Sequence, residues 1–275
     1  MQTNDMQADD THAAMAYQTI SVGIDGRQAT ITLNRPDVRN AFNEDAIAEL
    51  TRAFEQLGRD PSIRVIVLAA NGPAFCAGAD LRWMKKMAGY SLAENLQDAT
   101  YLAHMLHTIW QCPKPVVAKV QGDCYAGGVG LVAACDIVVA ADSVRFCLSE
   151  VKLGLIPATI APYVIKAIGE SAARRYFVSA EVFDAARAQQ IGLAHEVASA
   201  AGLDASVALV VKSLLANSPH AMAQAKLLVR AVANQPLSDM LLADTAQRIA
   251  QIRASTEGRE GVAAFLEKRA PSWLN

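Results

Sequence analysis

The first half of the chain alternates runs of β-branched residues with longer apolar or amphipathic stretches. Runs of adjacent apolar residues at 64–70 (RVIVLAA), 116–121 (VVAKVQ) and 137–141 (IVVAA) predict strands that are buried on both faces. The apolar stretches at 91–111 and 128–135 predict the helices that connect them. Burial on both faces is typical of a largely parallel sheet covered by helices. The pattern therefore predicts an α/β core.

Turn and cap signals give the limits of this core. A hairpin that turns at Asp25-Gly26 and a charged amphipathic helix that ends at Gly58 precede the buried strands. From about residue 170 the chain becomes alanine-rich and helical in period. We therefore expect a loose tail over 1–16, the α/β core over 17–195 and a helical C-terminal module over 196–275.

Composition and charge argue against several classes of protein. The 275 residues are 52% hydrophobic and 19% charged, which is typical of a soluble protein with a large core. A formal net charge of −2 gives no general basic surface for nucleic acid or an anionic membrane. The chain has no recognisable membrane-length apolar run and no secretory or transit leader, so we expect a cytoplasmic protein.

Cysteine and histidine offer little chemistry by their spacing. The five cysteines form no CxxC pair, and we expect small buried residues in a reducing compartment. Cys76 and Cys124 lie near glycine turns and stay open as catalytic candidates. His104 and His107 have no acidic or cysteine cluster beside them, so we expect no metal site.

Two glycine-containing turns follow predicted strands. The first spans residues 75–80 (FCAGAD), and the second is Ala126-Gly127-Gly128, which opens a predicted helix. Ligands bind at the carboxyl ends of strands in open α/β sheets, and small residues let a ligand approach the backbone. Backbone N–H groups that converge from two such turns would form an oxyanion hole. Either turn taken alone is commonly structural.

Glu150 is a carboxylate in an otherwise apolar segment, 149–157 (SEVKLGLIP). Such a group is solvated, paired with a cation, or raised in pKa as a general acid or base. The sequence alone leaves these three alternatives open.

Taken together, these segments resemble a known family. The resemblance covers nearly all of the chain from about residue 17, and it is to the crotonase, or enoyl-CoA hydratase/isomerase, superfamily. The segments that carry it are 33–43 (LNRPDVRNAFN), 74–81 (AFCAGADL), 122–137 (GDCYAGGVGLVAACDI), 149–157 (SEVKLGLIP), 188–197 (AQQIGLAHEV) and 260–269 (EGVAAFLEKR). The resemblance implies a spiral of repeated β-β-α units with a helical C-terminal module. It also implies a homotrimer or a hexamer built as a dimer of trimers.

The resemblance further implies a set of site residues. It assigns the oxyanion-hole donors to the N–H groups of Ala77 and Gly127 and the catalytic carboxylate to Glu150. It implies an acyl-CoA substrate, with no permanently bound cofactor and no metal. Positions implied to contact CoA or the acyl group are Arg35, Ala77, Gly78, Ala79, Asp80, Leu81, Gly128, Gly130, Pro157, Phe265 and Lys268, the last two reaching the CoA of a neighbouring subunit in many members.

Gly130 departs from the family pattern. Hydratases of the family usually carry a second glutamate three residues after the oxyanion-hole glycine, and this chain has Gly130 there. One explanation is room for a bulkier acyl group near the reacting carbons. The other is close packing of the helix on the sheet. The source of the second proton stays open, because nothing in the sequence brings Asp123 or Tyr125 into the site.

Hydration of an enoyl-CoA is the function the resemblance favours. Segment 125–137 and the stretch 158–162 (ATIAP), which is glycine-rich in the wider family, resemble the branch of methylglutaconyl-CoA and isohexenylglutaconyl-CoA hydratases. A cation such as Arg82, Lys85 or Lys86 would then meet the second carboxylate of the substrate. A single-glutamate isomerase is the runner-up, followed by decarboxylation or thioester hydrolysis. RNA binding, known for some family members, is a remote alternative at this net charge.

Overall fold

The computed structural model describes residues 17–274. The tail predicted over 1–16 lies outside the described residues. Within them the chain forms ten strands and ten α-helices, joined in places by single turns of 3₁₀-helix.

The strands form two sheets. The larger has the order β1-β2-β3-β5-β7-β10 and is parallel apart from the β1–β2 hairpin. The smaller has the order β4-β6-β8-β9, and its first three strands are parallel. The strands are β1 (Ile20–Asp25), β2 (Gln28–Leu33), β3 (Val65–Ala70), β4 (Ala74–Cys76), β5 (Val116–Val120), β6 (Asp123–Tyr125), β7 (Ile137–Ala141), β8 (Arg145–Cys147), β9 (Phe183–Asp184) and β10 (Glu196–Ala198).

The helices cover the sheets and extend beyond them at the C-terminal end. They are α1 (Glu44–Arg59), α2 (Leu81–Met87), α3 (Leu92–Gln111), α4 (Gly127–Ala134), α5 (Ala161–Ser179), α6 (Ala185–Gln190), α7 (Leu203–Leu215), α8 (Pro219–Val232), α9 (Asp239–Ala254) and α10 (Thr256–Glu267). No single helix of residues 17–274 is long and apolar enough to cross a membrane. The bent helix pair Ala200–Leu215 and Pro219–Val232 reaches the length and apolar composition of a membrane span only when both helices are taken together.

The order of elements is a repeated β-β-α unit, which confirms the predicted spiral. Strands β3, β5 and β7 lie in the large sheet, and each is followed by a short strand of the small sheet and then by helix. Every residue of β3 is buried, as its unbroken apolar run predicts. The hairpin and first helix also form, with small shifts: Asp25 pairs with Gln28, so the turn is Gly26-Arg27, and α1 ends at Arg59.

The core extends past the predicted boundary at 195. Strand β10 pairs in parallel with β7, and α7 buries Leu203, Val207 and Val211 in the core. Helix α8 is then tied to the segments that precede β5 and β7 through Lys226, whose ammonium donates to the carbonyls of Cys112 and Lys114 at 2.7 and 2.8 Å and also contacts Asp136. The helical module that stands apart from the sheets therefore begins near α8.

Candidate active site

Three strands of the small sheet end at one edge, and each is followed by a segment that the sequence singled out. The strands β4, β6 and β8 run parallel and end at Cys76, Tyr125 and Cys147. The segments 77–80, 126–128 and 148–150 follow them. Because carboxyl ends of parallel strands meet at the same edge, the fold brings both glycine turns and Glu150 together. The Ala126 N–H donates to the Cys147 carbonyl at 2.8 Å, which ties the second segment to the end of β8, directly before the third.

In the first turn, one of the two predicted oxyanion-hole donors is wrong. The N–H of Ala77 donates to the Arg39 carbonyl at 3.0 Å, so it is not available to a substrate. Phe42 pairs on either side of Ala79: its N–H donates to the Gly78 carbonyl and its carbonyl accepts from Asp80, both at 2.7 Å. In a parallel bridge the intervening residue directs its own N–H away from that partner.

Ala79 is therefore the candidate donor in place of Ala77. Within residues 17–274 its N–H has no acceptor, and neither has that of Gly127. Gly78 shows that the two turns touch: a Cβ on it would lie 3.0 Å from the Ala126 Cβ and 3.9 Å from the Gly127 nitrogen. Its φ of +91° also favours glycine. Sequence reasoning placed Ala79 among the CoA contacts but missed it as a donor, because the direction of its N–H is set by pairing with Phe42, far earlier in the chain.

The second turn is built from close backbone approach. Gly127 is the first residue of α4, where N–H groups have no intrahelical partner. A Cβ on Gly127 would lie 2.8 Å from the Phe42 ring, and one on Gly128 would lie 2.7 Å from the Cys76 carbonyl oxygen. Ala126, directly before them, has a φ of 47° and a ψ of −118°, a sparsely populated conformation that is common at functional sites. Gly128 is buried, so its packing on Cys76 accounts for the glycine.

Glu150 opens the 3₁₀ turn Glu150–Leu153 with its side chain half-buried. Its Oε2 is buried and has no hydrogen-bond partner in the described part of the chain. Burial raises the pKa of this carboxyl, and a hydrogen bond from its own backbone N–H offsets the rise only in part. Of the three alternatives left open by the sequence, the structure supports the third, a desolvated carboxyl without a cation.

Gly130 leaves no room for an acyl group. It is buried in α4, and a Cβ on it would lie 2.2 Å from Cγ2 and 2.7 Å from Cβ of Ile160. The expectation that Gly130 makes space for a bulky substrate is therefore wrong, because Ile160 already fills that space. Close packing is the correct explanation, but the partner is the residue that caps α5 rather than the sheet.

Arg35 and Asp80 hold the first turn in place. They form an ion pair at 2.7 Å; Arg35 also donates to the Ala41 carbonyl, and the Asp80 carboxylate caps α2 through the Arg82 N–H. Burial acts to raise the pKa of Asp80, but the hydrogen bonds from Arg35 and the Arg82 N–H outweigh it and hold that pKa below its ordinary value. Next to this pair, Leu81 is 81% exposed and offers an apolar surface at the rim.

The remaining predicted positions lie on the loop and on the last helix. Pro157 is buried, and its carbonyl accepts the Ala161 N–H at 2.9 Å at the start of α5. Phe265 is 82% exposed, and Lys268 caps α10 in the left-handed conformation. Helix α10 packs chiefly on α8 and α9. A contact of Phe265 or Lys268 with CoA stays a prediction.

The alternative catalytic groups lose their support. All five cysteines are buried, and burial raises the pKa of Cys76 to about 12 and that of Cys124 well above its ordinary value, so neither is a ready nucleophile. Asp123 is paired with Arg145 and accepts from the Tyr125 hydroxyl at 3.2 Å, which makes it a poor proton source. Within residues 17–274 there is no group of three acidic, cysteine or histidine side chains that could hold a metal ion.

The family model for enoyl-CoA hydratase/isomerase matches residues 24–275. The chain belongs to the enoyl-CoA hydratase/isomerase family. A putative enoyl-CoA hydratase of Thermus thermophilus is 32% identical over 247 residues, or 90% of this chain and 97% of that protein. The 2,3-dehydroadipyl-CoA hydratase of Escherichia coli is 36% identical over 252 residues, or 90% of this chain and 95% of that protein.

A solved structure of the same family has the same fold as this chain. It is an enoyl-CoA hydratase from Shewanella pealeana, 42% identical in sequence, with a TM-score of 0.92 over 94% of this chain and 97% of that one. The similarity therefore includes both the strands that carry the candidate site and most of the helical C-terminal module.

Proposed function

We propose that this protein is a hydro-lyase that adds water to the double bond of an α,β-unsaturated acyl-CoA. One observation carries the proposal: the unpaired, desolvated carboxyl of Glu150 lies at the same sheet edge as the unpaired N–H groups of Ala79 and Gly127. That arrangement supplies a base and an oxyanion hole from neighbouring segments. The relatives named as enoyl-CoA hydratases support the same reaction.

The proposed reaction uses one carboxylate. Ionised Glu150 takes a proton from water while the water oxygen bonds to C3 and the C2–C3 π electrons move onto the thioester oxygen. Ala79 and Gly127 donate to that enolate oxygen, and one such donor is worth about 3–4 kcal/mol in the transition state. Glu150 then returns the proton to C2 as the enolate collapses. The sum is addition of one water, with Glu150 regenerated.

For the acyl group we propose a branched glutaconyl type that carries a second carboxylate. The support is the resemblance of segments 125–137 and 149–157 to that branch, together with the similarity to a hydratase whose name specifies an adipyl chain. Room at Gly130 no longer supports it. Arg82 and Lys85 have no ion pair in the described chain, whereas Lys86 is paired with Glu44, so the first two are the cations proposed to meet the carboxylate.

The test compares the wild-type protein with one variant on three substrates. The purified protein is assayed with 3-methylglutaconyl-CoA, crotonyl-CoA and a 3-enoyl-CoA, each with Glu150→Gln as the control. We expect hydration of the branched substrate well above that of crotonyl-CoA, lost in the variant. Hydration of crotonyl-CoA alone would retain the hydratase and remove the branched substrate. Turnover of the 3-enoyl-CoA alone would remove the hydratase as well.

Isomerisation is the second candidate, and the lack of a carboxylate at Gly130 favours it. A site with a single carboxylate can remove a proton from C2 and return it to C4 without any water. The hydratase stays first, because the relatives that match most of the chain are named as hydratases.

We also propose a homotrimer, alone or paired as a hexamer. The C-terminal helical module exposes large apolar side chains that a monomer would leave in water, among them Leu237, Met240, Phe265 and Leu266. Packing of a neighbouring subunit against this surface would place Phe265 and Lys268 of one subunit near a CoA, either that of the same subunit or that of the neighbour. Sedimentation or light scattering tests the assembly directly.

A further inference from the structure

Gly130 is in close contact with Ile160, and Ile160 is held firmly in its place. Ile160 is 2% exposed and lies at the N-cap of α5, where its carbonyl accepts from Val164 at 3.0 Å and from Tyr163 at 3.1 Å. Its β-branched side chain has little freedom at χ1. Because the backbone is held and the side chain is stiff, Ile160 cannot move aside for a side chain at position 130.

The contact between Gly130 and Ile160 lies at the C-terminal end of the segment that carries Glu150. The segment begins at β8, where the Cys147 carbonyl accepts from Ala126, and it ends at the start of α5. All five residues from 152 to 156 are exposed, so the buried anchors of the later half are Pro157 and Ile160. The methyl of Ile160 that sits against Gly130 therefore fixes the distance between this segment and α4, the helix whose N-terminus carries the Gly127 donor.

We propose that Ile160 is a positioning residue for Glu150, and that Gly130 and Ile160 form a pair in which each residue requires the other. Glycine at 130 admits Ile160, and Ile160 excludes any side chain, including a second carboxylate, from that position of α4. The single-carboxylate site is then a consequence of packing rather than of the size of the substrate. The positioning role rests on the proposed function, whereas the pairing does not.

The test is a double-mutant cycle of Gly130→Ala, Ile160→Gly and the double variant. With glycine at 160, the nearest remaining atom to a new Cβ at 130 is the Ile160 Cα position, at an ordinary 3.7 Å. We expect Gly130→Ala alone to lower Tm sharply and the double variant to recover most of that loss relative to Ile160→Gly. Gly128→Ala is the matched control, because its Cβ would meet Cys76 and not Ile160, so Ile160→Gly should not rescue it.

A second readout separates positioning from mere packing. We expect Ile160→Gly to lose about 10- to 100-fold in kcat, since a displacement near 1 Å can cost about 100-fold. The acid limb of its pH–rate profile should also move to lower pH, because water would reach Glu150 and reduce the rise in its pKa. Ile160→Val should keep both wild-type properties. A folded Ile160→Gly with unchanged kcat and acid limb would overturn the positioning role.

Different results would overturn the pairing of Gly130 with Ile160 and the proposed function. Additive Tm changes in the cycle would overturn the pairing even if the wild-type protein hydrates enoyl-CoA. Wild-type protein that hydrates no enoyl-CoA would overturn the proposed function and the positioning role, while a non-additive cycle would still support the pairing.

Discussion

The two parts of the candidate site are built in different ways. The oxyanion-hole part is backbone: Ala79 and Gly127 offer N–H groups, and their directions depend on Phe42 and on close packing of Gly78 against Ala126. The acid–base part is a single side chain, Glu150, on a largely exposed segment. Side-chain chemistry is visible in a sequence, whereas the availability of a backbone donor depends on which acceptor the fold supplies. The comparison explains why the sequence singled out Glu150, whose role as the base stays a proposal, but named Ala77 rather than Ala79 as a donor.

Replacing the Glu150 carboxylate by an amide should have the largest effect. Glu150→Gln keeps the size of the side chain but cannot accept a proton, so we expect a loss of about 10²–10⁴-fold in kcat. The circular dichroism spectrum should be unchanged. Equal kcat in a folded variant would show that another group is the base.

Removing a backbone donor should have a smaller effect, and only at one of two neighbouring alanines. Replacing Ala79 by lactic acid exchanges its N–H for an ester oxygen, and we expect a loss of about 10²–10³-fold in kcat with little change in Tm. The same exchange at Ala77 removes the bond to Arg39 and should cost about 1 kcal/mol of stability with kcat largely retained. The reverse outcome would restore Ala77 as the donor.

The pH–rate profile should report the environment of Glu150. The carboxyl must be ionised to accept a proton from water, and burial raises its pKa, so kcat/KM should fall as the pH drops through a value above the ordinary glutamate pKa. Measuring kcat/KM from pH 4 to pH 8, within the range where the protein stays folded, checks this. An acid limb at the ordinary glutamate value would mean that water solvates the carboxyl.

The same raised pKa predicts a small effect on stability. A carboxyl with a raised pKa in the folded state binds more protons folded than unfolded, so its contribution falls as the pH rises from the unfolded pKa through the folded one. Glu150→Gln should therefore have a higher Tm than wild type at neutral pH. The difference should disappear below the ordinary glutamate pKa, and a lower Tm for the variant at neutral pH would contradict the assignment.

The large elements of the fold were predictable because they carry strong local signals. The runs that became β3, β5 and β7, and the stretches that became α3 and α4, lie within a residue or two of their predicted limits. The short strands β4, β6 and β8, of three residues each, were not predicted, since a run of that length has no periodicity. The resemblance of the sequence to its family indicated the spiral that holds them.

The errors at the site concern contacts between distant segments. Gly130 meets Ile160, which belongs to another helix, and nothing local to position 130 distinguishes a notch filled by a neighbour from a space left for a substrate. Ala77 donates to Arg39, whereas Ala79 is bridged by Phe42 and keeps its N–H unpaired within the described residues. Both points depend on tertiary packing.

The mass of the product distinguishes hydration from isomerisation. The protein is incubated with 3-methylglutaconyl-CoA or crotonyl-CoA, and the CoA ester is analysed by mass spectrometry beside a Glu150→Gln control. We expect a product heavier than the substrate by one water, formed by the wild type and not by the variant. A product of unchanged mass with a moved double bond, or hydration that persists without Glu150, would contradict it.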